Sequence, residues 1–191
     1  CSFFEIEFVL KINLNNKYRI LFFAVILAPG IFFPVSSDIA IFLKGGGLLL
    51  EGGRLYSDYI DLKPPLVYEM YTVIKIITGG GELTIRLFDF FYQLLTAFLL
   101  MALTEKYTKD KTAAFFSGVM YSFSYVTLGF TQTLQGESFT GLWAVLLIML
   151  VMQEDKGVLK LLAIGALCGM FFMVKFTIGI VLAAVLIYEF F

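Results

Sequence analysis

The chain has 191 residues, of which 60% are apolar and only 15% charged, with a net charge of −1 and a mean hydropathy of +0.90. So little charge does not wet a soluble domain of this length, and the lack of any histidine excludes imidazole acid–base chemistry and histidine metal sites within these residues. No basic cluster has the aromatic interleaving of a nucleic-acid strip, so no nucleic-acid partner is expected, and Cys1 and Cys168 do not make a disulfide framework.

The charges are clumped between apolar runs that do not alternate, such as Ile20–Phe33 and Leu142–Met152. A transmembrane β-barrel alternates polar and apolar residues, so the expected class is an all-α polytopic membrane protein. Cys1–Asn16 lacks the pattern of a cleaved leader. Its Phe3, Phe4, Ile6, Phe8, Val9 and Leu10 beside Glu5, Glu7 and Lys11 predict a cytoplasmic or interfacial segment over residues 1–17. Residues 18–191 read as the N-terminal part of a transmembrane module, because the chain starts without methionine and stops inside an apolar run. The remainder is expected to follow beyond Phe191.

The first span is predicted over Tyr18–Val35, with Lys17 and Arg19 at its start and Pro29-Gly30 kinking its outer half. A polar, glycine-studded loop covers residues 36–65. Within it the apolar run Ile39–Leu50 predicts helices lying along the membrane surface, and Gly45-Gly46-Gly47 reads as a turn. Pro64-Pro65 fixes the backbone before a helix over Leu66–Thr78, which stops at Gly79-Gly80-Gly81. That helix is short for a hydrocarbon core of about 30 Å and carries Glu69, Lys75 and a polar stripe of Tyr68, Tyr71, Thr72 and Lys75. It is read as re-entrant or interfacial, the alternative being a further tilted span. Spans are expected over Thr84–Thr104, Thr112–Thr131, Ser138–Met152, Val158–Val174 and Phe176–Phe191. Arg86, Asp89 and Gln93 stand at helical spacing and predict a local ion pair inside the bundle, and Gly165 and Gly169 a packing pair. If the N-terminus is cytoplasmic and Leu66–Thr78 does not cross, the loops with Lys106, Lys109, Lys111, Lys156 and Lys160 fall inside and residues 36–65 outside.

The loop from Ser37 to Leu66 concentrates the chemistry. It contains Asp38, Arg54, Asp58, Asp61 and Lys63, the last directly before Pro64-Pro65. Four of them have an ordinary alternative: a helix cap for Asp38, a snorkelling ammonium for Lys63, loop carboxylates for Asp58 and Asp61. The spacing of Asp58 and Asp61 lets them share a helical face, but two carboxylates make a poor metal site. Glu137 lies between two spans, where it is either a loop end or a supporting acid. Lys175 reads as an interfacial anchor.

The run Gly52-Gly53-Arg54-Leu55-Tyr56-Ser57-Asp58-Tyr59-Ile60-Asp61-Leu62-Lys63-Pro64-Pro65-Leu66 resembles the G-x-x-Y-x-D-x-x-D-x-K-P-P-L signature of GT-C-fold glycosyltransferases, among them protein O-mannosyltransferases and aminoarabinose transferases. Gly81–Leu87, Gln135–Ser138 and Gly165–Lys175 resemble further elements of that family: a G-x-x-x-x-R-L element, a second acidic position and a G-x-x-x-G…K helix. The resemblance implies a GT-C-like helical bundle with juxtamembrane helices in the first extracytoplasmic loop. It implies Asp38 as the catalytic carboxylate after the first span and Lys63 at the lipid-phosphate site. Arg54 is then a second phosphate contact, with Asp58, Asp61 and Glu137 in support. Many members have Asp-Glu where this chain has Asp38-Ile39, and some have an acidic residue where Leu62 stands, so no metal site is carried over and metal dependence is left open.

The implied activity is transfer of a sugar from polyprenyl phosphate to a lipid, glycan or protein acceptor on the extracytoplasmic side of the cell's inner or plasma membrane. The lipid-linked sugar donor is the expected cofactor-like substrate and membrane lipids the surroundings. Such chemistry needs a carboxylate to take the acceptor's proton, cations to meet the charge growing on the departing phosphate, and an apolar groove for the prenyl chain. A secondary transporter, or a non-catalytic membrane scaffold, is the alternative.

Overall fold

The computed structural model describes residues 14–153 and 157–178, together with Ile187. Among them lie seven α-helices and no strand beyond the isolated bridge Leu55–Tyr59. The expected span Phe176–Phe191, apart from a 3-10 turn at Phe176–Ile178, and the surface segment before Leu14 lie outside the described residues.

Helix α1, Leu14–Leu27, tightens into a 3-10 turn at Ala28–Phe32, where Pro29 contributes no N–H to continue an α-helix. The expected kink is this change of helix type. The chain then turns by 84° into α2, Ser37–Leu50. Helix α3, Pro65–Thr78, starts with proline in its first turn and ends at Gly79, whose left-handed φ of 71° closes the helix. Helix α4, Glu82–Thr108, is 27 residues long, about 40 Å. Helix α5, Lys111–Thr127, begins where the Asp110 carboxylate accepts from the N–H groups of Thr112 and Ala113. It stops four residues short of Thr131, and a turn over residues 128–135 leads through a 3-10 segment, Gly136–Phe139, into α6, Thr140–Val151. Helix α7 is Val158–Val174.

Contacts at the helix ends fix the directions. The Val35 N–H donates to Glu82 at one end of the α1–α4 pair, and Arg19 meets Glu105 at 3.9 Å at the other, so α1 and α4 are antiparallel. Tyr125 and Tyr121 of α5 reach Asp89 and Gln93 of α4, which makes that pair antiparallel too. Tyr92 bonds to the Phe139 carbonyl and Tyr107 to that of Met152, so α6 runs with α4. The chain therefore leaves α1 and enters α4 at the same end, and α2 and α3 stay there. Lys17, Arg19, Lys106 and Lys160 gather at the opposite end. Lys160 reaches the carbonyls of Val151 and Gln153 there.

Among the described residues α4 alone is long and apolar enough to cross a bilayer by itself. The bent pair of the first helix and α2 passes the same test only together. The interior is polar in places where a water-soluble bundle is not: Arg86, Asp89, Gln93, Thr96, Ser122 and Thr133 are buried, while Leu21, Val25, Phe91, Phe116, Phe123 and Leu162 are exposed.

Helix α3 shows the same inversion. The stripe of Tyr68, Tyr71, Thr72 and Lys75 faces α2, with both tyrosines fully buried, whereas Val73, Ile76 and Ile77 face outward. The three glycines read as a turn are instead inside α2, and each faces this stripe. A side chain on Gly46 would put its Cβ 2.7 Å from the Thr72 backbone nitrogen and 2.9 Å from the Tyr71 carbonyl carbon. The missing side chains let the helices close until Thr72 Oγ1 donates to the Gly46 carbonyl at 3.1 Å. Composition reads three glycines as a break; close approach is the other use of the same residue.

Gly46→Ala sets two effects against each other. Helix propensity favours alanine by about 1 kcal/mol, but forcing a methyl against backbone costs about 1–3 kcal/mol. The expected result is net destabilisation, seen as a lower midpoint of thermal unfolding in detergent. An unchanged or raised midpoint counts against the tight α2–α3 seam. Gly165 and Gly169, expected to pack a helix, meet no described atom within 4 Å of a built Cβ.

Candidate active site

The site forms where three separate stretches meet at the end of the bundle remote from the basic end. Helix α4 organises it. Arg86, 1% exposed, donates through Nε to the Phe33 carbonyl at 3.0 Å, through Nη2 to that of Pro34, and through Nη1 to Thr133 Oγ1 at 3.1 Å. With Glu82 accepting from the Val35 N–H at 2.8 Å, the start of α4 grips residues 33–35, from which α2 departs. The local Arg86–Asp89 ion pair expected from spacing does not form. Asp89 takes both its oxygens' bonds from the Tyr125 hydroxyl, at 2.8 and 2.9 Å, and one more from Gln93 Nε2 at 3.0 Å. Arginine goes to the backbone because carbonyls between two helices have no partner of their own.

The same network shapes the turn between α5 and α6. Leu134 is fully buried with a left-handed φ of 62°, a conformation that costs a non-glycine residue about 1–2 kcal/mol. Two tyrosines hold it: the Tyr125 hydroxyl accepts its N–H at 2.8 Å, and the Tyr71 hydroxyl donates to its carbonyl. Gln135 and Glu137 follow directly and project from a short 3-10 turn, whose capping pair is Gln135 and Ser138. A carboxylate and a carboxamide at i, i+4 on α4 (Asp89, Gln93) and two tyrosines at i, i+4 on α5 (Tyr121, Tyr125) are the sequence signal for this network.

Asp38 stands in the first turn of α2, where free backbone N–H groups favour negative charge. It is exposed, and because it lies inside the helix while Ser36 holds the capping position, the helix-cap alternative does not hold. Gln135 Nε2 donates to Asp38 Oδ2 at 3.1 Å and to the Thr131 carbonyl at 2.7 Å. One turn along α2, the Phe42 ring lies 5.6 Å from Lys63 Nζ. Lys63 also pairs with Glu137 Oε1 at 3.7 Å, and Lys175, just past α7, reaches the same oxygen at 3.4 Å. Asp38, Lys63 and Glu137 are thus brought together through the segment 135–137, with Lys175 added.

The other candidates serve the loop itself. Residues 54–64 form turns, so Asp58 and Asp61 share no helical face. Asp58 accepts from the Arg54 N–H at 2.8 Å, and Asp61 from the Leu62 N–H at 2.6 Å and from the Tyr68 hydroxyl. Burial first, and then its bond to Asp61, raises the Tyr68 phenol, which therefore remains a donor. The Arg54 side chain is exposed, and among the described residues no hydrogen bond or ion pair joins it to Asp38, Lys63 or Glu137. No three of the described His, Cys, Asp and Glu side chains gather where one ion would reach them.

Beside Glu137 opens a cleft of about 320 Å³, walled by Tyr121, Tyr125, Gln132, Gln135, Glu137 and Lys175 among others. Its hydroxyls and carboxamides are the groups that recognise a polyol, and its one wall carries the ammonium of Lys175. Gln135 lines this space and also donates to Asp38, which does not line it.

Residues 62–191, more than half of the chain, match the family described as dolichyl-phosphate-mannose-protein mannosyltransferase. The chain is also similar to the dolichol phosphate-mannose mannosyltransferase of Haloferax volcanii, with 30% identity over 92 residues that cover 48% of this chain and 20% of that protein. The match thus spans about a fifth of the relative's length. No solved structure matches.

Proposed function

The chain belongs to the dolichyl-phosphate-mannose-protein mannosyltransferase family, and we propose that it forms the donor site of a multi-pass membrane enzyme transferring a sugar from polyprenyl phosphate to an extracytoplasmic acceptor. The observation that carries this reading is the convergence of Asp38, Lys63, Glu137 and Lys175, distant in sequence, at one end of the bundle.

The environment follows from burial. Polar groups inside and large apolar groups outside are the distribution a chain adopts when its solvent is hydrocarbon. Helices α1, α4, α5, α6 and α7 alternate in direction and are read as spans. The 84° turn between α1 and α2 supports reading α2 as lying along the interface. With Lys17, Arg19, Lys106 and Lys160 at the cytoplasmic end, the site faces the other compartment.

In the proposed reaction the bond between the sugar's anomeric carbon and the phosphate oxygen breaks as an acceptor oxygen bonds to that carbon. Asp38 takes the acceptor hydroxyl's proton and becomes a carboxylic acid. The bond electrons leave with the phosphate, which departs as polyprenyl phosphate, one negative charge richer than in the donor. Lys63 meets that charge, and Lys175 rather than Arg54 is the second cation. Family membership favours this reading over a transporter or a scaffold.

The test is donor binding to Lys63→Ala. Losing one charged contact costs about 1.5–3 kcal/mol, so affinity for a polyprenyl-phosphate sugar is expected to fall by about tenfold or more. Affinity equal to wild type removes Lys63 from the phosphate site.

A further inference from the structure

The three charged groups beside the cleft do not sort into separate pairs. One oxygen, Glu137 Oε1, is shared by two ammonium groups that belong to different parts of the chain. Two lysines around one carboxylate oxygen reproduce the arrangement in which they would hold a phosphate oxygen, with the carboxylate in its place. From this we propose that Glu137 is a resident competitor for the phosphate-binding lysines, and that it promotes release of the spent lipid phosphate. The inference rests on the transferase reading above.

The charges set the direction of the effect. A polyprenyl-phosphate sugar is a phosphodiester with one negative charge. The product is a phosphomonoester, carrying about −1.5 to −2 at pH 7. Two lysines with no counter-charge would hold the product more firmly than the donor, and turnover would stall on it. With Glu137 among them the lysines carry a net charge of +1, which suits the donor and leaves the product over-charged. The device also needs to be reversible. Glu137, Lys63 and Lys175 side chains are 31%, 38% and 51% exposed, and ion pairs so open to water each shift an equilibrium by no more than about fivefold. A phosphate displaces the carboxylate easily, and the carboxylate returns just as easily. The 3-10 turn at Gly136–Phe139 keeps the displaced side chain within reach.

The experiment uses the protein in lipid nanodiscs, with tritiated short-chain polyprenyl phosphate as the binding probe. Glu137→Gln is expected to bind that product about tenfold more tightly than wild type and the donor sugar only about threefold more tightly. KM and kcat should fall together as release becomes limiting. In a Lys175→Gln background the same change should tighten product binding less, a coupling that a purely structural role would not produce. Glu137→Ala should shift product affinity in the same direction, so instability of one variant does not decide the outcome. A wild type that binds polyprenyl phosphate beside a Glu137→Gln that binds it no more tightly overturns this inference alone. A wild type with no measurable affinity for polyprenyl phosphate overturns the transferase reading, and this inference with it.

Discussion

Asp38→Asn is expected to lower donor-dependent transfer by about 10²–10⁴-fold, the usual contribution of a positioned general base, while the protein still inserts and folds. Asparagine keeps the shape and can still face Gln135, whose Nε2 retains the Thr131 carbonyl as a partner. What it loses is the capacity to accept the acceptor's proton. Because Asp38 is exposed and caps nothing, the change removes no buried interaction. The measurement is single-turnover transfer from a polyprenyl-phosphate sugar, read beside donor affinity. Reduced transfer with unchanged donor affinity places the loss in the chemical step. A variant with full activity would show that Asp38 is not the base, and that its contact with Gln135 serves only the fold.

Arg86→Met produces the largest effect on stability. The side chain is buried and satisfies the Phe33 and Pro34 carbonyls and the Thr133 hydroxyl, three groups on two segments. Methionine fills much of the volume but donates nothing. Removing the donor leaves buried acceptors unsatisfied, at about 1–3 kcal/mol for each, together a large part of the stability of a domain this size. The expected outcome is a sharp fall in the unfolding midpoint, or loss of purified protein. Lysine at position 86 should recover only part, since one ammonium cannot reach in three directions as the guanidinium fork does. The same residues carry α2 and Asp38, so surviving Arg86→Met protein should transfer poorly even where it folds. A variant as stable as wild type would sink the reading of Arg86 as the clamp between α1, α4 and the 128–139 turn.

The elements were legible where one physical signal dominated. Pro65 and Gly79 bracket α3 because proline suits a first turn and glycine a left-handed stop. Val158–Val174 is bounded by glycine and lysine around an apolar run, and the helix has those limits. Asp38 and Lys63 stood out because the run Gly52–Leu66 resembles the K-P-P signature of a known family, a match carried by local residue order. Other readings failed where one residue type has two uses. Gly45-Gly46-Gly47 serves helix contact instead of a turn, and the polar stripe on α3 is its packing face. Arg86 and Asp89 are correctly spaced for a local pair, yet each finds better partners on other elements. The resemblance offers Arg54 beside Lys63, whereas the ammonium that meets Glu137 together with Lys63 is that of Lys175, 112 positions further along the chain.

The sequence by itself therefore determined the all-helical class and the limits of most helices, since periodicity, turn residues and composition act over a few residues at a time, and its resemblance to a known family pointed to the kind of chemistry on offer. Only the tertiary structure decided which charges meet. That choice depends on helix direction and on carbonyls left without partners between helices, and both are settled by contacts between residues tens of positions apart.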